Sequence, residues 1–175
     1  MAMYEIYFSP TGGTKKVAEI IGSAWSCETE RVDLMNPALQ PEQYAFSAAD
    51  ICIVAVPSFG GRVPVTAVER LKKMAGNGAR AVLVAVYGNR EFEDTLMELK
   101  DALSEAGFRC SAAAAAVAEH SIIRKFGAGR PDEEDCRELK EFSERIKHHL
   151  EENGDGEITV PGSHPYREYH GVPMK

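Results

Sequence analysis

The chain has 175 residues, 44% of them hydrophobic, with 27 acidic side chains against 20 Lys and Arg and a formal net charge of −7. That length and composition point to one domain with a sizeable core and argue against a disordered chain. The acidic balance argues against a nucleic-acid partner, whose recognition rests on Lys and Arg. It suits either a basic protein partner met by electrostatic steering or plain solubility. Cys27, Cys52, Cys110 and Cys136 are too scattered to form a zinc or iron–sulfur pattern. Cys52 and Cys110 fall in expected strands and read as small buried hydrophobes. No metal site, disulfide or bilayer-spanning stretch is expected, and the expected compartment is a reducing cytoplasm.

Apolar runs alternate with helical periods along the chain. A first strand is expected at 3–8, followed by Ser9-Pro10-Thr11-Gly12-Gly13-Thr14 and a helix over 13–26. A weak strand follows at 28–33. The continuous apolar run 51–56 reads as a strand covered on both faces. A helix at 64–74 starts with Pro64 and ends at Gly76-Asn77-Gly78. A strand at 81–86 precedes a helix at 93–105, with Leu96, Leu99 and Leu103 at helical spacing. Residues 110–118 are read as a strand by their place in the alternation, against the helix propensity of an alanine run. A last helix at 132–150 is acidic in its first turn and carries Lys147, His148 and His149 near its end, matching the macrodipole.

Five strands alternating with four helices imply an α/β fold, a parallel sheet with helices on both faces. Such sheets bind ligands beyond the carboxyl ends of their strands. The loop at 9–14 joins a strand to a helix. Its glycines allow a tight turn, the helix's first N–H groups face an anion, and Ser9, Thr11 and Thr14 add hydroxyl donors. Taken alone, it is either a phosphate cradle or an ordinary helix start. The loops after the third and fourth strands are Pro57-Ser58-Phe59-Gly60-Gly61-Arg62 and Tyr87-Gly88-Asn89-Arg90-Glu91-Phe92. Both combine aromatics with glycines, as a site for a flat ring does. One loop for phosphate and two for a ring system match FMN.

The motif Ser9-Pro10-Thr11-Gly12-Gly13-Thr14 resembles the [ST]-x-T-G-x-T phosphate loop of the flavodoxin superfamily. The likeness extends over the alternation of residues 1–150. It implies a flavodoxin-like three-layer sandwich, strand order 2-1-3-4-5, spanning 1–152, with 153–175 as a tail or linker. More narrowly, 56–64, 87–90, Glu119-His120-Ser121 and the tail from Val160 resemble the flavodoxin part of fused ferredoxin–flavodoxin proteins. This chain lacks the cysteines that would hold their clusters.

The resemblance implies that Ser9, Thr11, Gly12, Gly13 and Thr14 hold the FMN phosphate. Lys15 and Lys16 read as a solvated helix face. Pro57, Ser58, Phe59, Gly60 and Gly61 would flank the isoalloxazine, with a peptide at Gly60-Gly61 able to reorient when the flavin is reduced. Phe59 either stacks on the ring or fills a hydrophobic hollow. Tyr87, Gly88, Asn89, Arg90 and Phe92 would meet the pyrimidine edge. Arg90 either stabilises negative charge on the ring or pairs with Glu91 or Glu93. Glu119-His120-Ser121 stands on the same edge. The expected function is an FMN-binding electron carrier working with a redox partner protein, including one of ferredoxin type. No residue then need act as acid, base or nucleophile. The alternative is an NAD(P)H-dependent flavin or quinone reductase on the same fold, although no Gly-x-Gly-x-x-Gly follows a strand. A phosphatase or receiver module is disfavoured: no cysteine lies in the cradle, and neither central strand ends in an acidic residue.

Overall fold

The computed structural model describes residues 1–88, 91–119, 127–152, 156 and 158–168. Its elements are β1 (Met3–Tyr7), α1 (Gly13–Gly22), β2 (Thr29–Asp33), β3 (Ile51–Pro57), α2 (Val65–Leu71), β4 (Arg80–Tyr87), α3 (Thr95–Glu105), β5 (Arg109–Val117) and α4 (Glu133–Glu152). The strands form one sheet in the order β2-β1-β3-β4-β5. Every pairing is parallel. This is the flavodoxin-like α/β arrangement the sequence led us to expect.

The period of two along β3 divides the core. Cys52, Val54 and Val56 pack with Ala67 and Leu71 of α2 and with Leu96, Leu99 and Leu103 of α3. Ile51, Ile53 and Ala55 pack with Val17, Ala18 and Ile21 of α1 and with Leu139, Ile146 and Leu150 of α4. A strand buried on both faces reads as the unbroken apolar run seen in the sequence. Burial pushes the Cys52 thiol far above the ordinary range, which leaves it a packing group.

The alanine run at 112–116 is a strand, as its position demanded. It carries an irregularity that periodicity did not reveal. Ala81 pairs with Cys110 and Val82 with Ala112, so Ser111 is skipped in the register. This bulge reverses the phase of the strand. Cys110 therefore faces the α2/α3 core and Ala112 the α1/α4 core.

Helix ends differ from expectation where packing intervenes. α1 stops at Gly22, short of residue 26. Glu5 lies beside it, and a Cβ on Gly22 would stand 2.3 Å from Glu5 Oε1. Ala24 and Trp25 stay buried in the turn that follows. α4 begins with a reciprocal cap: the Asp135 N–H donates to Asp132 Oδ1, and the Asp132 N–H donates to Asp135 Oδ2, both at 2.9 Å.

The chain does not leave the domain after α4. Val160 is buried and Ile158 half-buried against the α2/α3 core.

The candidate cofactor edge

A parallel sheet brings the carboxyl ends of β1, β3, β4 and β5 to one edge, and the helix N-termini with them. After β1, Gly12 stands at the start of α1 with φ +89°. A Cβ there would meet nothing within 4 Å. Gly12 is thus needed for its backbone angle, and the space over it is open. The Lys15 N–H donates to Ser9 Oγ at 3.0 Å. Ser9 therefore braces the helix start with its lone pair and keeps its own O–H proton to donate outward. Thr14 is buried and Thr11 exposed. Gly13 abuts Ala118, whose Cβ would lie 3.4 Å from a Cβ on Gly13, which sets this loop against the end of β5. Lys16 is exposed, as read, and also donates from Nζ to the Pro131 carbonyl at 2.9 Å, joining the starts of α1 and α4.

After β3, Pro57 is buried and Ser58 continues the ladder, its N–H donating to the Val86 carbonyl at 2.8 Å. Thr95 Oγ1 donates to Ser58 Oγ at 2.8 Å, tying this loop to α3. Phe59 and Arg62 exchange backbone hydrogen bonds of 2.9 and 3.1 Å around Gly60 and Gly61. Both glycines have positive φ, +58° and +80°. Two consecutive positive angles are the signature of a type I′ turn, which Gly-Gly fits. The Phe59 ring is half-buried, edge-on to Phe8 with centroids 6.4 Å apart.

After β4, Tyr87 and Phe92 meet edge-on with centroids 5.3 Å apart. Gly88 is half-buried beside them. Asn89, Arg90, His120 and Ser121 lie outside the described residues. The pairing of Arg90 with Glu93 was one of two readings. Glu93, at φ +41°, makes an ion pair with Arg167.

Sequence reasoning missed a charged lattice behind the Phe59–Arg62 turn. Arg62 donates from Nε and Nη2 to the two carboxylate oxygens of Glu98, at 2.8 and 2.7 Å. Glu98 also accepts the Val63 N–H at 2.9 Å. Asp94 accepts the N–H groups of Ser163 and Arg167 at 2.9 and 2.8 Å. Asp101 meets His164 Nε2 at 2.6 Å and accepts the Tyr166 hydroxyl. The Arg167 amide, foremost, and the bonds from Ser163 hold the Asp94 carboxyl below its ordinary range, against the opposing effect of burial. Burial also opposes charge on Asp101, but the bonds from Tyr166 and His164 prevail and lower it. The available signal was the spacing of Asp94, Glu98 and Asp101, which puts three carboxylates on one face of α3 opposite a tail rich in donors. A second pair joins Arg130 to Asp135 beside the end of β5. Its hydrogen bonds pull the Asp135 carboxyl down to about 2.

Solved structures share this architecture at low sequence identity. A flavodoxin from Streptococcus pneumoniae superposes with a TM-score of 0.57 at 20% identity, covering 85% of this chain and 99% of that one. The two-electron reduced flavodoxin of Megasphaera elsdenii gives 0.56 at 19%, over 82% and 98%. The azoreductase AzrA gives 0.55 at 10%, over 83% and 100%. No protein-family model and no curated protein matches the sequence. The fold is flavodoxin-like. Among the described residues, no helix is long and apolar enough to cross a membrane.

Proposed function

We propose that this protein binds FMN and carries electrons in the manner of a flavodoxin. The observation that carries the reading is Gly12 at the start of α1, open above and at positive φ. It shares an edge with two loops that present aromatics and glycines. The residues present fit the group: the first-turn N–H groups of α1 with Ser9, Thr11, Gly12, Gly13 and Thr14 would hold its phosphate. Pro57, Ser58, Phe59, Gly60 and Gly61 would border the ring on one side. Tyr87, Gly88, Asn89, Arg90 and Phe92 would border it on the other. The flavin, when bound, supplies the redox chemistry, and the chain supplies binding, orientation and electrostatics. The test is titration of purified protein with FMN, followed by flavin absorption and fluorescence. Saturation at one flavin per chain supports the reading, and absence of any spectral change overturns it.

The likeness to AzrA keeps a second reading in view, a flavin or quinone reductase that draws on NAD(P)H. Anaerobic addition of NADPH separates the two: rapid bleaching of bound FMN marks a reductase, and its persistence marks a carrier. The tail's resemblance to the linker of fused ferredoxin–flavodoxin proteins supports a ferredoxin-type protein as the redox partner.

A further inference from the structure

Residues 158–167 form a strap across the start of α3, and its far end rests on the Phe59–Arg62 turn. The strap is anchored at its near end by Val160 and Ile158 in the α2/α3 core. Gly162, at φ +135°, then passes so close to α3 that a Cβ there would lie 2.5 Å from Met97 Cβ and 3.4 Å from Asp94 Cα. Asp94 takes two strap amides, and Asp101 takes His164 and Tyr166. Asp94 makes no side-chain cap to α3, so these contacts are its structural work.

At the far end three contacts reach the turn. Arg62 donates from Nη1 to the Arg167 carbonyl at 2.8 Å. The Arg62 guanidinium lies over the Tyr166 ring, 4.8 Å from its centroid. The Arg167 side chain, paired with Glu93, covers Gly61, where a Cβ would meet Arg167 Cδ at 2.9 Å. The Gly61 carbonyl also accepts the Asp94 N–H at 3.0 Å, so the residue that grips the strap grips the turn as well. Gly60, by contrast, is exposed with nothing within 4 Å of its Cβ position. The two glycines of the turn are therefore unequal, one locked and one free.

We propose that the strap is a positioning device for the cofactor edge. It fixes the Gly61 end of the turn, confines backbone movement to Gly60, and thereby sets the reduction potentials of the bound flavin. Asp94 and Arg167 are its positioning residues. The redox half of this proposal rests on the FMN reading; the mechanical half does not.

The experiment compares the full chain with Gly162→Ala, which cannot keep the close approach to Met97, and with Asp94→Asn, which cannot accept both strap amides. Gly156→Ala, just before the strap and with open space around it, is the control. In protein without flavin, amide exchange at Arg62 and Asp94 is expected to quicken roughly tenfold in both variants, as loss of a charge-assisted hydrogen bond implies. Exchange at Val54 and Val84 stays native, showing an intact sheet. With FMN added, the gap between the first and second reduction potentials changes in both variants and not in the control. Fast exchange at Arg167 with native exchange at Arg62 and Asp94 overturns the clamp. Loosened amides with native potentials overturn the redox coupling while leaving FMN binding established. A native chain that takes up no FMN removes the redox half together with the FMN reading, and amide exchange alone then decides the clamp. If Gly162→Ala does not fold, Asp94→Asn carries the same comparison.

Discussion

Gly61 has no room for a methyl group. A Cβ there would stand 2.8 Å from Glu93 Cβ at a φ of +80°, so clash and backbone strain act together. Gly61→Ala is expected to lower stability by about 2–3 kcal/mol, whereas Gly60→Ala, in open space, costs about 1 kcal/mol. Urea unfolding of the two variants measures the difference. Glu98 is a second sensitive position, because its carboxylate serves Arg62 twice and the Val63 amide once. Glu98→Ala leaves Arg62 and that buried amide without their acceptor, and about 3 kcal/mol of stability is expected to go with it. Glu98→Gln retains one acceptor and should lose about half as much in the same assay. At this scale the sequence was legible where the reason is local. Gly12 stands in a helix-start motif, and its positive φ follows from its place there. The Gly60-Gly61 step was legible as a place that suits glycine, and both residues do have positive φ. Its inequality could not be read, because the side chain that covers Gly61 comes from Arg167, at the far end of the chain.

The strap and the first turn of α4 are both held by carboxylates whose pKa values lie below normal, and they should yield to acid in order. Asp94 is depressed from 3.8, principally by the Arg167 amide, so its contribution is present above the ordinary Asp range. It is lost as pH falls through the lowered folded value. Asp135, gripped by Arg130, keeps its charge down to about 2. Acidification should therefore release the Ser163 and Arg167 amides before the Asp132 amide, which Asp135 accepts. An NMR titration of those three resonances reads the order, and simultaneous release would contradict it. Elements themselves were well anticipated, since each strand and helix expected from the pattern is present. The misses have packing causes. α1 was drawn too long because its turn keeps Ala24 and Trp25 apolar and buried after the helix has ended at Gly22. The bulge at Ser111 left no trace because an alanine run has no alternation to interrupt. The role of α3 was half seen. Its leucine stripe pointed to the core, while its acidic stripe finds its partners in the tail, far along the chain.

The alternation of strands and helices made the parallel sheet legible from the sequence. The order of its strands came from resemblance alone, because periodicity does not say which strand lies beside which. The molecule as a whole carries a net charge of −7. If it passes electrons, reaction with a cationic acceptor should slow as salt rises toward about 0.15 M, where the Debye length is about 8 Å. Reaction with an anionic acceptor should quicken over the same range. Stopped-flow rates against ionic strength test this, and parallel slopes for both acceptors would show that the net charge does not steer encounter. The strap also bears on how the chain is made. Its bonds join Arg62 to Arg167 and Asp94 to Ser163 across long stretches of sequence, and β5 and α4 both precede it in the chain. Every strand and helix is therefore synthesised ahead of residues 162–167, and the turn beside Gly60 acquires its fastening last.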